Sequence, residues 1–195
     1  MAPGETKQAI LDEAAKLATV EGLEGLTIGR LADVMGMSKS GLFAHFGSKE
    51  GLQLATVEAA GDVFTRLVVE PAEEVPPGLG RLKAYAGRFL DYVEDGTYPG
   101  GCFLATVAFE LSARSGPVRD LTIGIVSDWF ERLAAAVAAA QEQGEVAAGE
   151  DPMQVAFEVD SALLLADLQF VLSQDPEPLR RARVAIDRVL ERVAA

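Results

Sequence analysis

The sequence is short of the residues that most often carry out chemistry in proteins. It contains one cysteine, Cys102, so an internal disulfide is excluded. It contains one histidine, His45, which argues against a metal site built from imidazoles. It has no glycine-rich phosphate loop and no Ser/His/Asp constellation. We therefore predict no catalytic residue, no metal and no cofactor.

Long apolar runs and a leader-like beginning are also missing. The first residues, MAPGETKQ, are polar and lack the basic and apolar regions of a secretory signal. Apolar runs such as residues 133–140 are too short to cross a bilayer. Hydrophobic residues make up 49% of the 195 residues, enough for one or two domains with a core. We expect a globular cytoplasmic protein without a membrane partner.

The segment Thr27–Lys49, TIGRLADVMGMSKSGLFAHFGSK, has the pattern of two short helices joined by a tight turn. Thr27 and Ser38 each precede a helical stretch and are suited to cap it. Gly36 supplies the turn, because glycine takes positive φ freely. This arrangement predicts a helix-turn-helix.

The second of these helices is predicted to be a recognition helix for the DNA major groove. Ala32 allows the second helix to approach closely, and Leu42 anchors that helix in the core. Lys39 and Ser40 are candidates for contacts with base edges or phosphates. A solvated surface helix with ordinary caps is the alternative. The residues predicted to face solvent are Lys39, Ser40, Ala44 and His45.

The run GLFAHFGSKEGL, with the residues before it, resembles the DNA-binding domain of the tetracycline-repressor (TetR) family. The matching residues are Thr27 to Ala32, Gly36, Ser38, Gly41, Leu42, Phe43, His45, Phe46, Lys49, Glu50 and Leu52. With this resemblance, the predicted DNA-binding residues are Thr27, Ser38, Lys39, Ser40, Phe43, His45 and Lys49. Phe43 departs from the family's commoner tyrosine, so a phosphate hydrogen bond is lost and an apolar contact to a thymine methyl is left. A positional role for His45 is favoured over a catalytic one.

Basic residues are scarce for a DNA-binding protein: 17 against 30 acids give a net charge of −13. Residues 1–50 contain 5 bases and 7 acids, a net charge of −2, whereas residues 51–195 contain 12 and 23, a net charge of −11. Arg30, Lys39 and Lys49 lie in or beside the helix-turn-helix, where we expect only Asp33 and Glu50 to oppose them. We therefore expect few phosphate contacts, weak non-specific affinity and a modest salt dependence.

Helical spacing of apolar residues continues along the rest of the chain, and no stretch alternates like a strand. We predict an all-α fold of about nine helices: a three-helix DNA-binding head, followed by a helical domain for ligand binding and dimerisation. The stretch 71–80, PAEEVPPGLG, holds three prolines and two glycines and should not form a helix interior. The predicted domains are therefore 1–50 (DNA-binding), 51–70 (connecting helix) and 78–195 (ligand-binding and dimerisation).

Most aromatic residues lie in the second domain, where cavities between helices commonly bind small apolar ligands. The resemblance implies an inducer pocket walled by the helices that carry Phe89, Phe103, Val107, Trp129 and Leu163. Ordinary core is the alternative for each of them. Cys102 is expected to be a small buried hydrophobe rather than a redox sensor. Three acids interrupt apolar helices and face either a ligand, solvent or a partner subunit: Glu110, Asp160 and Asp167.

The predicted helix 152–173 is apolar nearly all round, which favours burial on two sides. In the resembled family the last two helices form a four-helix bundle with a second subunit. The alternative is that one chain covers both faces.

We therefore predict a ligand-responsive regulator, favoured as a repressor, although activation stays open. It would bind a palindromic double-stranded DNA operator as a homodimer and be released by a small-molecule effector. The runner-up is a helical small-molecule-binding protein or enzyme whose helix-turn-helix does not bind DNA.

Overall fold

The structure is a computed structural model that describes residues 3–195, with side chains described from Thr6 onward. Within these residues the chain is helical, and the only β pairing is one isolated bridge between Val146 and Ala194. The helices are α1 (Pro3–Glu21), α2 (Ile28–Met35), α3 (Lys39–Phe46), α4 (Lys49–Phe64), α5 (Glu70–Glu73), α6 (Leu79–Glu94), α7 (Phe103–Leu111), α8 (Pro117–Glu142), α9 (Pro152–Ser173) and α10 (Glu177–Val193).

The prediction of an all-α fold is confirmed. A π-helical segment, Thr65–Val69, joins α4 directly to α5. If these three pieces are counted as one continuous helix, the described residues hold nine helices, as predicted. No helix in residues 3–195 is both long and apolar enough to span a membrane.

The prediction that residues 71–80 interrupt the helix is partly wrong. The helix continues through Pro71 to Glu73, and α6 already begins at Leu79. Pro71 lacks an N–H, and it follows directly on the π-helical turn that interrupts the regular i→i−4 hydrogen bonds, so the chain stays helical across it. Just before it, the backbone widens so that the Glu70 N–H donates to the Thr65 carbonyl, five residues back. The true break is residues 74–78.

The described residues form two compact units, and helices α4 and α8 each contribute to both. The first unit runs up to Val63 and includes Tyr98–Val126. It contains α1, α2, α3, most of α4, α7 and the first part of α8. Its core is made of aliphatic side chains that are almost completely buried: Ile10, Leu23, Leu26, Leu31, Leu42 and Leu52.

The second unit consists of Phe64–Thr97 and Ser127–Ala195. In it α9 packs along α10, and α6 packs against both. Buried aliphatic side chains such as Leu163 and Ile186 mark the inward faces of α9 and α10. These units describe packing within the chain, and the functional boundaries 1–50, 51–70 and 78–195 stay a prediction.

Candidate nucleic-acid interface and helical core

The start of α2 and the turn after it are built as the sequence predicts. Thr27 is extended, and its hydroxyl accepts the Arg30 N–H at 3.0 Å. This bond satisfies one of the free amides at the helix start. Gly36 ends α2 with φ = 63°, the left-handed conformation that glycine takes without strain. The chain can therefore reverse into α3 within a few residues.

Two further serines cap the helices that follow. The Ser38 hydroxyl accepts the Gly41 N–H at 3.1 Å, and the Ser48 hydroxyl accepts the Gly51 N–H at 2.9 Å. Glycine at position 51 has a packing reason, because a Cβ there would lie 2.3 Å from the Phe46 carbonyl oxygen. The glutamate of a full capping box has no room at this position.

The recognition helix α3 is eight residues long and buries a single side chain, Leu42. Its predicted solvent residues are all exposed, and Phe43 is 57% exposed as well. The exposed ring of Phe43 can make an apolar contact with a bound partner. The exposed residues of α3 are Lys39, Ser40, Phe43, Ala44 and His45.

The expectation that only Asp33 and Glu50 oppose the bases of this region is wrong. The Arg30 guanidinium donates from Nε to both carboxylate oxygens of Glu21, at 2.9 and 3.2 Å. Lys49 Nζ donates to Glu24 at 2.6 Å. These acids come from the end of α1 and the loop after it, so they are near in space but not adjacent in sequence.

Because of these two ion pairs, the bases of the helix-turn-helix are not equally available to a ligand. Hydrogen bonding to Arg30 lowers the pKa of Glu21, and hydrogen bonding to Lys49 lowers the pKa of Glu24. In the part of the chain that the structure describes, Lys39 makes no ion pair. Lys39 is therefore available to a ligand directly, whereas Arg30 and Lys49 must first exchange a carboxylate.

The five predicted ligand-binding residues are all buried, but they fall in different compact units. Phe103 and Val107 of α7 belong to the first unit. Phe89 of α6, Trp129 of α8 and Leu163 of α9 belong to the second. A role in ligand binding stays a prediction for all five.

Within the second unit, Trp129 is the centre of an aromatic cluster. Its ring centroid lies 5.1 Å from that of Phe64 and 5.6 Å from that of Tyr85, both edge-to-face, and 6.1 Å from Phe89 in a stacked arrangement. Tyr92 contacts Phe64 edge-to-face at 5.7 Å. Such geometries are favoured between aromatic rings, so the cluster is a specific rather than a loose assembly.

Polar groups border this cluster. Trp129 Nε1 donates to Asp160 at 2.9 Å, and burial raises the pKa of the Asp160 carboxyl. The Tyr85 hydroxyl donates to Glu73 at 3.1 Å, and Arg132 forms an ion pair with the same carboxylate. Asp160 was a candidate from sequence, but Glu73 and Arg132 were missed because they lie 59 residues apart.

The remaining candidates separate clearly. Glu110 accepts backbone N–H groups of the α1–α2 loop within the first unit. Asp167 is buried in α9, and Cys102 is buried at the start of α7, consistent with its prediction as a small hydrophobe.

The alternative that one chain covers both faces of α9 is wrong. Exposed apolar side chains form one stripe on that helix: Phe157, Leu165, Leu168 and Leu172.

A capped, exposed recognition helix after a glycine turn, in an otherwise helical chain, defines a helix-turn-helix DNA-binding protein. Family models agree with this class. The model described as "Bacterial regulatory proteins, tetR family" matches residues 10–56, and the "Tetracyclin repressor-like, C-terminal domain" matches residues 78–186. The chain belongs to the tetracycline-repressor family of transcriptional regulators.

Individual relatives are consistent with this. The chain is 24% identical to the transcriptional regulator AcuR of Cereibacter sphaeroides over 178 residues, 88% of this chain and 79% of that protein. Over 53 residues it is 42% identical to the transcriptional repressor AcnR of Corynebacterium glutamicum, covering 27% of this chain and 28% of AcnR. A TetR regulator structure from Chloroflexus aurantiacus superposes with a TM-score of 0.89 at 22% identity, covering 100% and 98% of the two chains.

The protein is accordingly a DNA-binding transcriptional regulator, and ligand-responsive regulation is typical of its family. Regulators of this family bind operator DNA and small-molecule effectors as dimers. The alternative of an enzyme or binding protein with a non-DNA-binding helix-turn-helix is not favoured.

Proposed function

We propose that this chain is a cytoplasmic repressor that binds a palindromic operator as a homodimer and is released by a small molecule, without catalysing a reaction. The observation that supports this most directly is α3, which is capped at its start, anchored by one buried residue and otherwise presented to solvent. The name of the similar repressor AcnR supports repression rather than activation. We assign DNA binding to residues 1–50, the connecting helix to 51–70 and ligand binding with dimerisation to 78–195.

In this proposal the recognition helix enters the major groove and its exposed side chains contact bases. Lys39 is the leading base or phosphate contact because it makes no ion pair among the described residues. Ser40 and His45 add hydrogen-bonding groups on the same helix, and Phe43 offers its ring to a thymine methyl. One good contact of this kind is worth about 1–3 kcal/mol of discrimination.

Phosphate contacts would come from the starts of the helices. Thr27, Ser38 and Lys49 lie at the first turns of α2, α3 and α4, where free amides and the helix dipole favour an anion. Lys49 would exchange Glu24 for a phosphate when DNA binds. Because Lys49 already has an ionic partner, exchanging that partner for a phosphate contributes less binding free energy than a new ion pair would. The affinity should therefore depend only modestly on salt.

The dimer would form through α9 and α10. The α9 stripe recurs at positions 157, 165, 168 and 172, which share one face of a helix. Val184 on α10 is also half exposed. A contiguous apolar face of this kind marks a protein interface, and a two-fold axis through it would present two recognition helices to a palindrome.

For the effector we propose contacts with Phe89, Trp129 and Leu163 in the second unit and, as a separate assignment, with Phe103 and Val107 of α7 in the first. The aromatic cluster with its Asp160 and Tyr85 polar groups suits a molecule with an apolar body and a hydrogen-bonding group. Release follows only if the effector binds the non-operator conformation better, and a difference of about 1–3 kcal/mol is typical of such coupling.

The experiment that tests the proposed function is selection of bound sequences from a random duplex pool by the purified protein at moderate salt. We expect a palindrome whose half-sites are about one helical turn apart. Enrichment of an asymmetric half-site would contradict the dimer. No enrichment from folded, dimeric protein would contradict DNA binding and return the enzyme or small-molecule-binding alternative to first place.

A further inference from the structure

The loop between α1 and α2, residues 22–26, is held from two helices that are far apart in sequence. On one side, both carboxylate oxygens of Glu110 in α7 accept backbone amides. Oε2 accepts the Leu23 N–H at 2.7 Å and Oε1 accepts the Glu24 N–H at 2.8 Å. On the other side, the amide of Gln53 in α4 donates to the Leu23 carbonyl at 2.6 Å.

Two of these bonds fall on the same peptide group. The carbonyl of Leu23 and the N–H of Glu24 belong to one planar unit and point to its opposite edges in the trans form. Gln53 therefore forms a hydrogen bond at one edge of this rigid plane, and Glu110 forms one at the other edge. A displacement of either side chain along this line moves the plane and so pulls on the other.

Side-chain contacts of Glu24 follow the same route. Its carboxylate pairs with Lys49 at the start of α4, at 2.6 Å, and with Arg114 after α7, at 2.8 Å. The same loop residue thus links α7 to Lys49 by charge as well as through the backbone.

Further contacts hold α7, and the loop before α7, against α1 and the α1–α2 loop. Gly22 has φ = 80°, and a Cβ there would lie 3.2 Å from a Glu110 carboxylate oxygen. The Gly100 N–H donates to the Thr19 hydroxyl at 3.3 Å, and a Cβ on Gly100 would lie only 2.1 Å from the Thr19 carbonyl oxygen. A Cβ on Gly100 would push the loop before α7 away from α1, whereas a Cβ on Gly22 would require the Glu110 carboxylate to shift by only a few tenths of an ångström. The close approach therefore depends chiefly on Gly100.

We propose that Glu110 is a positioning residue for operator binding, because it couples α7 to α4 through the peptide between Leu23 and Glu24. This inference rests on the proposed function, since it concerns how the DNA-binding surface is held. Both carboxylate oxygens of Glu110 accept amides of the α1–α2 loop, so Glu110 acts on α4 through this loop. α7 also carries Phe103 and Val107, so a shift of α7 would reach Lys49 by this path.

The test compares Glu110→Gln with wild type and with Glu131→Gln, which removes the same charge from an exposed position of α8. A glutamine offers one acceptor oxygen for two amides and turns an NH₂ toward the second. We expect faster hydrogen exchange at Leu23 or Glu24 and operator binding about tenfold weaker, with no such change in the control. Glu110→Gln preserves size, so it stays informative if Glu110→Ala does not fold.

A double-mutant cycle separates positioning from a general loss of stability. Gln53→Met removes the donor on the other edge of the same peptide. We expect the double variant Glu110→Gln with Gln53→Met to weaken operator binding by less than the product of the single effects. Both residues hold the same peptide group, so the second substitution removes a connection that the first has already broken. The melting temperatures are recorded alongside, and measurements are made well below them.

The outcomes distinguish the two proposals. If wild type selects no operator, the proposed function is overturned. If wild type binds its operator and Glu110→Gln binds it equally well, the inference is overturned and Glu110 only stabilises the loop. Multiplicative single effects in the cycle would also overturn it, because Glu110 and Gln53 would then act independently.

Discussion

The helices α3 and α9 both leave side chains in solvent, yet their exposed faces have opposite chemistry. α3 exposes polar side chains, Lys39, Ser40 and His45, with a single exposed aromatic ring, Phe43, and it buries one leucine. α9 exposes large apolar side chains along one stripe, among them Leu165 and Leu168, each 55% exposed. Leaving apolar area in water forfeits about 25 cal/mol for each Å², so the α9 face needs an apolar cover and the α3 face does not.

This difference indicates the kind of partner each surface takes. A polar helix face needs no cover in water and can exchange that water for phosphates and base edges. An apolar stripe is stable only when a second apolar surface covers it. The following changes are designed to break or sharpen this contrast, beginning with the largest expected effect.

Charges placed on the α9 stripe should have the largest effect. We expect Leu165→Glu with Leu168→Glu to yield a folded monomer, because both side chains are exposed within one chain but would be buried in the dimer. Operator affinity should fall by at least about 100-fold, since a single head binds one half-site without the second. Sedimentation and operator titration measure the two effects. Val20→Glu, at an exposed apolar position of α1, is the control for the oligomeric state, and a dimeric double variant would refute the interface.

Removal of Lys39, the base of α3 for which the described residues provide no ion pair, should have the next largest effect. We expect Lys39→Ala to weaken operator binding about tenfold while leaving the fold intact, because a base or phosphate contact is lost at an exposed position. Lys83→Ala removes the same charge from α6, where it pairs with Asp187, and should leave binding unchanged. Equal affinity of Lys39→Ala and wild type in a gel-shift titration would remove Lys39 from the interface.

Releasing a paired cation should act in the opposite direction and more weakly. Glu21→Gln frees Arg30 from its carboxylate, so we expect non-specific DNA binding to become a few-fold tighter and its salt dependence steeper. Titrations at several salt concentrations measure both, with Glu131→Gln as the charge-matched control. An unchanged salt slope would mean that Arg30 does not reach a phosphate.

Replacement of Asp160, a partly buried residue of α9, should have the smallest effect. Burial raises the pKa of Asp160, so the stability associated with its protonated form is present at low pH and is lost as pH rises through the raised pKa. Asp160→Asn keeps an acceptor for Trp129 and removes the charge. Near neutral pH we expect its free energy of unfolding to exceed that of wild type by at most about 1 kcal/mol, which raises the melting temperature by roughly 2–4 °C. Its melting temperature should also vary less with pH.

Melting curves from about pH 4 to about pH 8 check this expectation against Asp128→Asn, an exposed neighbour of Trp129. A difference between Asp160→Asn and wild type that grows toward acid pH would contradict the assigned direction of the shift.

Local chemistry made the helix-turn-helix predictable from the sequence. Thr27, Ser38 and Ser48 each accept an amide three residues ahead, and Gly36 turns the chain by its own conformation. Bonds of this span join residues that are neighbours in the sequence, so the residue types that favour them can be recognised there. The same reasoning predicted the other helices, because their apolar spacing repeats within a few residues.

Longer-range features became clear only from the tertiary structure. Glu110 meets Leu23 across 87 residues and Gln53 meets it across 30, and no local pattern in the sequence selects these partners. The pairing of Lys49 with Glu24, and which face of α9 stays exposed, depend in the same way on the packing of distant helices. The sequence by itself determined the helices, their caps and the family, whereas packing decided which charges are paired and which surfaces are left for a partner, because the groups involved meet only once the core has formed.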